Sequence, residues 1–151
     1  WSDRPDGDEL SSAYGCNMAF RASVFGTCRF DEQLPLYGWQ EDTDFSGQVR
    51  SFGAVVSARP CRGVHLGVKQ GRTSGVRFGY SQIANPIHIA RRGNMKHGRA
   101  IKFIARALAA NLLYSTTRKS SADYAGRMRG NLIAAADLIR GKCNPQRILT
   151  L

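Results

Sequence analysis

The chain has 151 residues, of which 42% are hydrophobic and 9% aromatic, and its formal net charge is +11. That composition excludes intrinsic disorder, and at this length one core can form without disulfides or zinc. No apolar run approaches the roughly 20 residues of a membrane-spanning helix, and no secretory leader is read at its start.

Residues 1–13 are polar and carry Pro5 and Gly7, so they read as a loop or a frayed end. Met18-Ala19-Phe20 suits a short buried strand. Residues 26–35 are loop-like, with Phe30 and Leu34 as anchors. A helix is expected from Gln40 or Glu41, with Phe45, Val49 and Phe52 on its apolar side and Gly53 as its stop. Ala54-Val55-Val56 reads as a second strand, closed by Pro60, and residues 61–73 as a Gly- and Arg-rich loop.

Beyond that loop the chain turns helical. A first helix is expected over Ser74–Arg92, interrupted by Pro86, and a second over Gly98–Arg118. In the second, Ile101, Ile104, Ala105, Leu108 and Leu112 share one face, while Arg99, Lys102 and Arg106 share another. Ser121 can cap a third helix, with Asp123 in its first turn and Gly141 at its end. Tyr124, Met128, Leu132, Ala135 and Ile139 form its apolar side. The expected fold is an α/β front followed by a mainly α-helical C-terminal region. Two strands are too few for a stable sheet alone, so the front reads as half of a sheet domain. Because the chain begins at Trp1 without an initiator Met, it reads as a piece of something longer.

Charge divides the chain in the same way. Residues 1–53 carry −5 and residues 54–151 carry +16. A basic back half seeks anions: nucleic acid, phosphate groups or an anionic lipid surface. Cys16, Cys28, Cys61 and Cys143 form no C-x-x-C pair and no zinc spacing, which suits a reduced compartment.

The sharpest local motif is Gly38-Trp39-Gln40-Glu41-Asp42-Thr43-Asp44-Phe45, an aromatic followed by carboxylates at a loop-to-helix junction. A carboxylate there can take a proton from a substrate hydroxyl, and the Trp offers a flat face to a sugar ring. The same acids also satisfy the exposed N–H groups and dipole of a helix N-terminus, with no chemistry involved.

Around this motif the chain runs Gly15-Cys16-Asn17-Met18-Ala19-Phe20-Arg21, then Phe30-Asp31-Glu32, then the octapeptide, Gly53 and Val64-His65. In order and spacing this resembles family 2 glycosyltransferases, inverting enzymes of the GT-A fold. The likeness covers residues 15–65 well and 66–92 loosely. It implies that Asp42 is the catalytic base and that Glu41 supports it. It places Trp39, Gln40 and Asp44 at the acceptor, and Gly15 and Asn17 beside the sugar-nucleotide donor. His65 matches a position that in some members completes a divalent-metal site, although a lone His is as readily structural. Arg62, Lys69 and Arg72, in the glycine-bearing loop near His65, would steady the departing diphosphate. The cofactor implied is Mg²⁺ or Mn²⁺.

The family holds its metal through a D-x-D motif in the first half of the catalytic domain. Here that pattern occurs at Asp6-Gly7-Asp8 and Asp42-Thr43-Asp44, and neither follows nucleotide-binding strands. Residues 1–73 therefore read as the acceptor-side half of a GT-A-like domain whose partner is an N-terminal donor-binding half. Residues 74–151 read as a basic helical extension. The expected function is transfer of sugar from a nucleotide-sugar donor to a glycan or lipid-linked saccharide acceptor, at the cytoplasmic face of the plasma membrane. By itself the piece is expected to be inactive.

Arg91, Arg92, Lys96, Arg99, Lys102 and Arg106 form a positive run that suits an anionic membrane surface. Nucleic acid fits less well, because aromatics are not interleaved with these cations. The rival function is a non-catalytic basic module that binds anionic membrane or nucleic acid.

Overall fold

The structure is a computed structural model and describes residues 7–58, 60–61, 63–66, 74–115 and 122–151. Four α-helices carry it: α1 (Glu41–Val49), α2 (Gly75–Arg91), α3 (His97–Tyr114) and α4 (Tyr124–Ile139). Short 3₁₀ turns lie at Ala22–Gly26 and Pro145–Thr150.

The expected α/β front is not found. Among the described residues there is no sheet, and the β-structure consists of two isolated antiparallel bridges, Glu9–Val56 and Tyr14–Asn17. Residues 7–10 do run against 55–57, with Leu10 N–H donating to Val55 C=O at 2.7 Å and Ser57 N–H to Asp8 C=O at 2.8 Å. Among the described residues no further strand lies beside them to extend the pairing into a sheet. Met18-Ala19-Phe20 is not a strand either. Its apolar content is placed by aromatic packing, with Phe20 edge-on to Phe45 at 4.8 Å between centroids.

Phe45 is fully buried and organises the front. Phe25 and Phe30 stack on it at 5.3 and 4.4 Å, and Val24, Cys28 and Val49 complete the cluster. Phe52, expected on the same helical face, lies beyond the end of α1 and is exposed.

Helix α2 is the axis of the back half. Ser74 caps it by accepting from Arg77 N–H, and Pro86 sits inside the helix rather than dividing it. Asp123 caps α4, accepting from Gly126 N–H at 2.7 Å, while Ser121 and residues 116–118 lie outside the described residues. Helices α2 and α4 cross closely because Gly79 and Gly130 face each other's backbone. A Cβ on Gly79 would run into the Arg127 carbonyl, and one on Gly130 into the Val76 carbonyl.

Polar side chains fill the middle of this packing. Asn111 Nδ2 donates to Gln82 Oε1 and to Asn131 Oδ1, both at 2.7 Å, and Asn131 Nδ2 donates to Gly79 C=O at 2.6 Å. Tyr80, Ile83, Ala84, Ala134 and Ile148 form the apolar part. The expected apolar faces of α3 and α4 are only partly turned inward: Ile104 packs against this core and Tyr124 and Met128 are half-buried, but the rest point out. Ile101 is 67% exposed, Leu112 68%, Leu132 65% and Ile139 87%.

Front and back share a core, in which Leu34 packs with Ile89, Ala90, Met95 and Ala100. Gln146 Nε2 donates to Glu32 C=O at 3.0 Å, tying the C-terminal turn to the front as well.

Candidate functional site

The approach to α1 is conformationally demanding. Leu36, Gly38 and Gln40 all adopt left-handed backbone, with φ of 58°, 56° and 72°. For Leu36 and Gln40 this costs roughly 1–2 kcal/mol each, because Cβ crowds the following carbonyl. Gly38 has no Cβ, and one added there would meet the Glu41 carboxylate. Such outliers persist only where the surroundings over-determine them. Here Asn85 of α2 donates from Nδ2 to Trp39 C=O at 2.9 Å, and Glu41 N–H donates to Gly38 C=O at 2.7 Å. The Trp39 ring packs edge-on to Phe78 and Phe103, at 5.8 and 6.4 Å. Gln40 is buried, and its Oε1 has no hydrogen-bond partner among the described residues.

The three acids of the first turn separate by direction. Asp44 points inward and is fully buried. Its Oδ2 accepts from Gln48 Nε2 and its Oδ1 from Asn94 Nδ2, both at 2.8 Å, with Arg92 Nε at 3.9 Å. The side chain expected at the acceptor thus anchors α1 to the α2–α3 turn. Asp42 points toward the rim and is half-buried. Its Oδ2 accepts from Gly15 N–H at 3.0 Å and its Oδ1 from Thr43 N–H at 2.7 Å. Glu41 is exposed, and its carboxyl is pushed up by partial burial and by the neighbouring Asp42 charge.

Residues 10–17 are stitched onto this helix end. Ala13 N–H donates to Ser46 Oγ at 2.9 Å, and that hydroxyl donates to Asp42 C=O at 2.6 Å. Asn17 Nδ2 donates to Cys61 C=O at 2.9 Å, and the His65 ring stands edge-on to Tyr14 at 6.2 Å. Gly15, Asn17, Asp42 and His65 thereby belong to one connected rim. Arg62, Lys69 and Arg72 lie outside the described residues. Among the described residues no three His, Cys, Asp or Glu side chains converge, so a donor set for a divalent cation is not assembled from them. Asp8 belongs to the pairing with residues 55–57, and Asp6 lies outside the described residues.

Two further groups flank the rim. Arg99 donates to Ser11 C=O at 3.0 Å and Ser12 Oγ at 3.1 Å. Burial and the nearby Arg50 charge lower its pKa, and the Asp42 carboxylate opposes that shift. A surface cavity of about 390 Å³ is lined by Gly98, Arg99, Lys102, Phe103 and Arg106. Its Phe103 is the ring against which Trp39 packs.

Beneath the site, Asp31 pairs with His88 Nε2 at 2.7 Å and Arg92 at 3.3 Å. Burial alone would raise the Asp31 carboxyl. The hydrogen bonds from His88 and Gln33 N–H, with the Arg92 charge, more than offset that and hold it low. Tyr14, Asn85, His88 and Asn94 are the participants that the sequence reading missed. His88 and Arg92, four apart and so on one helical face, were the available signal of an acidic partner.

Compared with protein-family models, with curated proteins and with solved structures, the chain matches none.

Proposed function

We propose that this chain carries the acceptor-activating site of an inverting glycosyltransferase, with Asp42 as the general base. The observation that carries the reading is the hydrogen bond from Gly15 N–H to Asp42 Oδ2, 3.0 Å long. It joins two motif elements 27 residues apart and turns one carboxylate, of the two in Asp42-Thr43-Asp44, toward the rim. The left-handed backbone at Leu36 and Gln40 supports the same reading, since strain of this kind gathers at functional sites.

In the proposed reaction a hydroxyl of a glycan or lipid-linked saccharide approaches Asp42. The carboxylate takes the hydroxyl proton as the oxygen attacks the anomeric carbon of the nucleotide-sugar. The bond from that carbon to the diphosphate breaks, the diphosphate leaves with the electron pair, and configuration inverts. Glu41 supports Asp42 from the adjoining position, and Trp39 and Gln40 shape the acceptor side. Gly15, Asn17 and His65 border the donor side. Asp44 acts as a positioning residue, fixing the helix that presents Asp42. Mg²⁺ or Mn²⁺ would supply charge neutralisation at the leaving diphosphate.

The test is Asp42→Asn in the full-length enzyme. The amide keeps an oxygen to accept from Gly15 N–H but cannot act as a carboxylate base. The expected outcome is a fall in kcat of about 10²–10⁴-fold, with a thermal melt lowered by no more than the one local acceptor lost at Thr43 N–H. An Asp42 that only ties Gly15 to the first turn of α1 would leave turnover nearly normal, since the amide oxygen can still accept from Gly15 N–H. That result would overturn the assignment.

A further inference from the structure

Helices α3 and α4 are packed with their small and polar residues inward. The buried positions of α3 are Ala100, Ala107 and Asn111, and those of α4 are Gly130, Asn131, Ala134 and Asp137. Apart from Ile104 and Ile133, which pack against the core, their larger aliphatic side chains face out. On α3, Ile101, Ala105, Leu108 and Leu112 recur at four-, three- and four-residue steps and make one exposed stripe. At 1.5 Å per residue it runs for roughly 16 Å. Lys102 and Arg106 lie about 100° round the helix from Ile101 and Ala105, along one flank of the stripe. Helix α4 repeats the layout, with Leu132, Ala135 and Ile139 exposed and Arg129 and Arg140 along one flank.

Charge selects the occupant of such a face. Helix α3 contains no Asp or Glu, and the only acid within α4, Asp137, is buried against Tyr80. A second copy of this chain would bring the same cations to the contact, on a molecule of net charge +11, and would be repelled. Nucleic acid would use the cations and leave the aliphatic stripe in water. An anionic bilayer uses both, taking the stripe at the acyl boundary and the cations at the headgroups. No helix among the described residues is long and apolar enough to cross a membrane, so the helix would lie along the surface.

We infer that the exposed Ile101–Leu112 face of α3 docks on an anionic lipid bilayer. The inference is independent of the catalytic reading. It is tested by co-sedimenting the full chain with vesicles of phosphatidylcholine, and of phosphatidylcholine mixed with phosphatidylglycerol. Binding to the mixed vesicles alone, weakened by salt, is expected. The Ile101→Gln/Leu112→Gln double variant should lose at least about tenfold in affinity, since two aliphatic side chains leave the acyl boundary. Lys102→Gln/Arg106→Gln should lose about fivefold per charge. Both variants change exposed positions, and unchanged thermal melts check that the fold is kept. Three results would overturn the inference. One is no sedimentation with mixed vesicles. Another is binding indifferent to the Ile101/Leu112 variant, which would leave only diffuse charge attraction. The third is a wild-type oligomer in light scattering that the same variant dissolves, which would make the occupant a second copy.

Discussion

The two halves of this molecule are held together by opposite means. In residues 7–66 the longest regular element is α1, nine residues, and much of the irregular chain is fixed by side chains bonding backbone. Ser46 holds Ala13, Asp42 holds Gly15, Asn17 holds Cys61 and Arg50 holds Ser11. In residues 74–151 helices of 17, 18 and 16 residues satisfy their own backbone. What lets them pack is the absence of side chains at the α2–α4 crossing. The front therefore depends on particular polar atoms and should fail when one is removed. The back depends on empty space and should fail when one methyl is added.

Removing a polar anchor from the front should have the largest effect. Asp44→Ala removes the acceptor of Asn94 Nδ2, takes from Gln48 Nε2 one of its two acceptors (Arg29 C=O remains) and takes a partner from Arg92. Hydrogen bonds to a charged group contribute about 1.5–3 kcal/mol each, so losing the two on this buried carboxylate is expected to cost about 3–5 kcal/mol in chemical denaturation. Asp44→Asn, keeping one acceptor oxygen, should lose about half of that. If Asp44→Ala unfolds like the parent, the front is not held in this way.

The back should show the reverse sensitivity. On an isolated helix, Gly→Ala stabilises by about 1 kcal/mol. At Gly130 the added Cβ would meet the Val76 carbonyl, which is backbone and cannot swing aside. The helices must then separate, and a net loss of about 2–3 kcal/mol is expected in the same measurement. Gly98→Ala in α3, where a Cβ meets nothing within 4 Å, provides the control and should not destabilise.

This contrast also explains what could be read from the sequence. The four helices were legible near their observed limits, because breakers such as Gly141 are local signals, although Asp123, expected in the first turn of α4, is its cap. Their buried faces were not. The 3.6-residue pattern was read as one face wherever it was aliphatic, but the buried positions of α3 (Ala100, Ala107, Asn111) and α4 (Gly130, Asn131, Ala134, Asp137) are small or polar and carry little hydrophobic signal. The front strands were illegible for a related reason. A run as short as Met18-Ala19-Phe20 is equally satisfied by packing on Phe45. At the site, motif order singled out Gly15, Asn17 and Asp42, but not the inward turn of Asp44. Helical geometry could have shown it, since residues two apart point roughly 200° from each other.

The smallest effect sharpens the comparison inside the front itself. Asp31 and Glu41 are acids set ten positions apart, and their surroundings shift them in opposite directions. Asp31 is held below its ordinary range. Its folded form favours the carboxylate, so its stabilisation is present above the ordinary Asp range and is lost as pH falls through the depressed value. Glu41 is held above its ordinary range by partial burial and the Asp42 charge, which outweigh the helix N-terminus. Its folded form favours the proton, so its stabilisation is present below the ordinary Glu range and is lost as pH rises through the raised value. Melting temperatures taken from acid to neutral pH should therefore separate two variants. Asp31→Asn should fall below the parent at neutral pH and approach it in acid. Glu41→Gln should gain on the parent as pH rises through the Glu window, by a small amount because the exposed charge is screened by solvent. Parallel melting curves for parent and Glu41→Gln across that window would show that Asp42 and Glu41 do not crowd each other, and would remove the electrostatic basis for pairing them in one site.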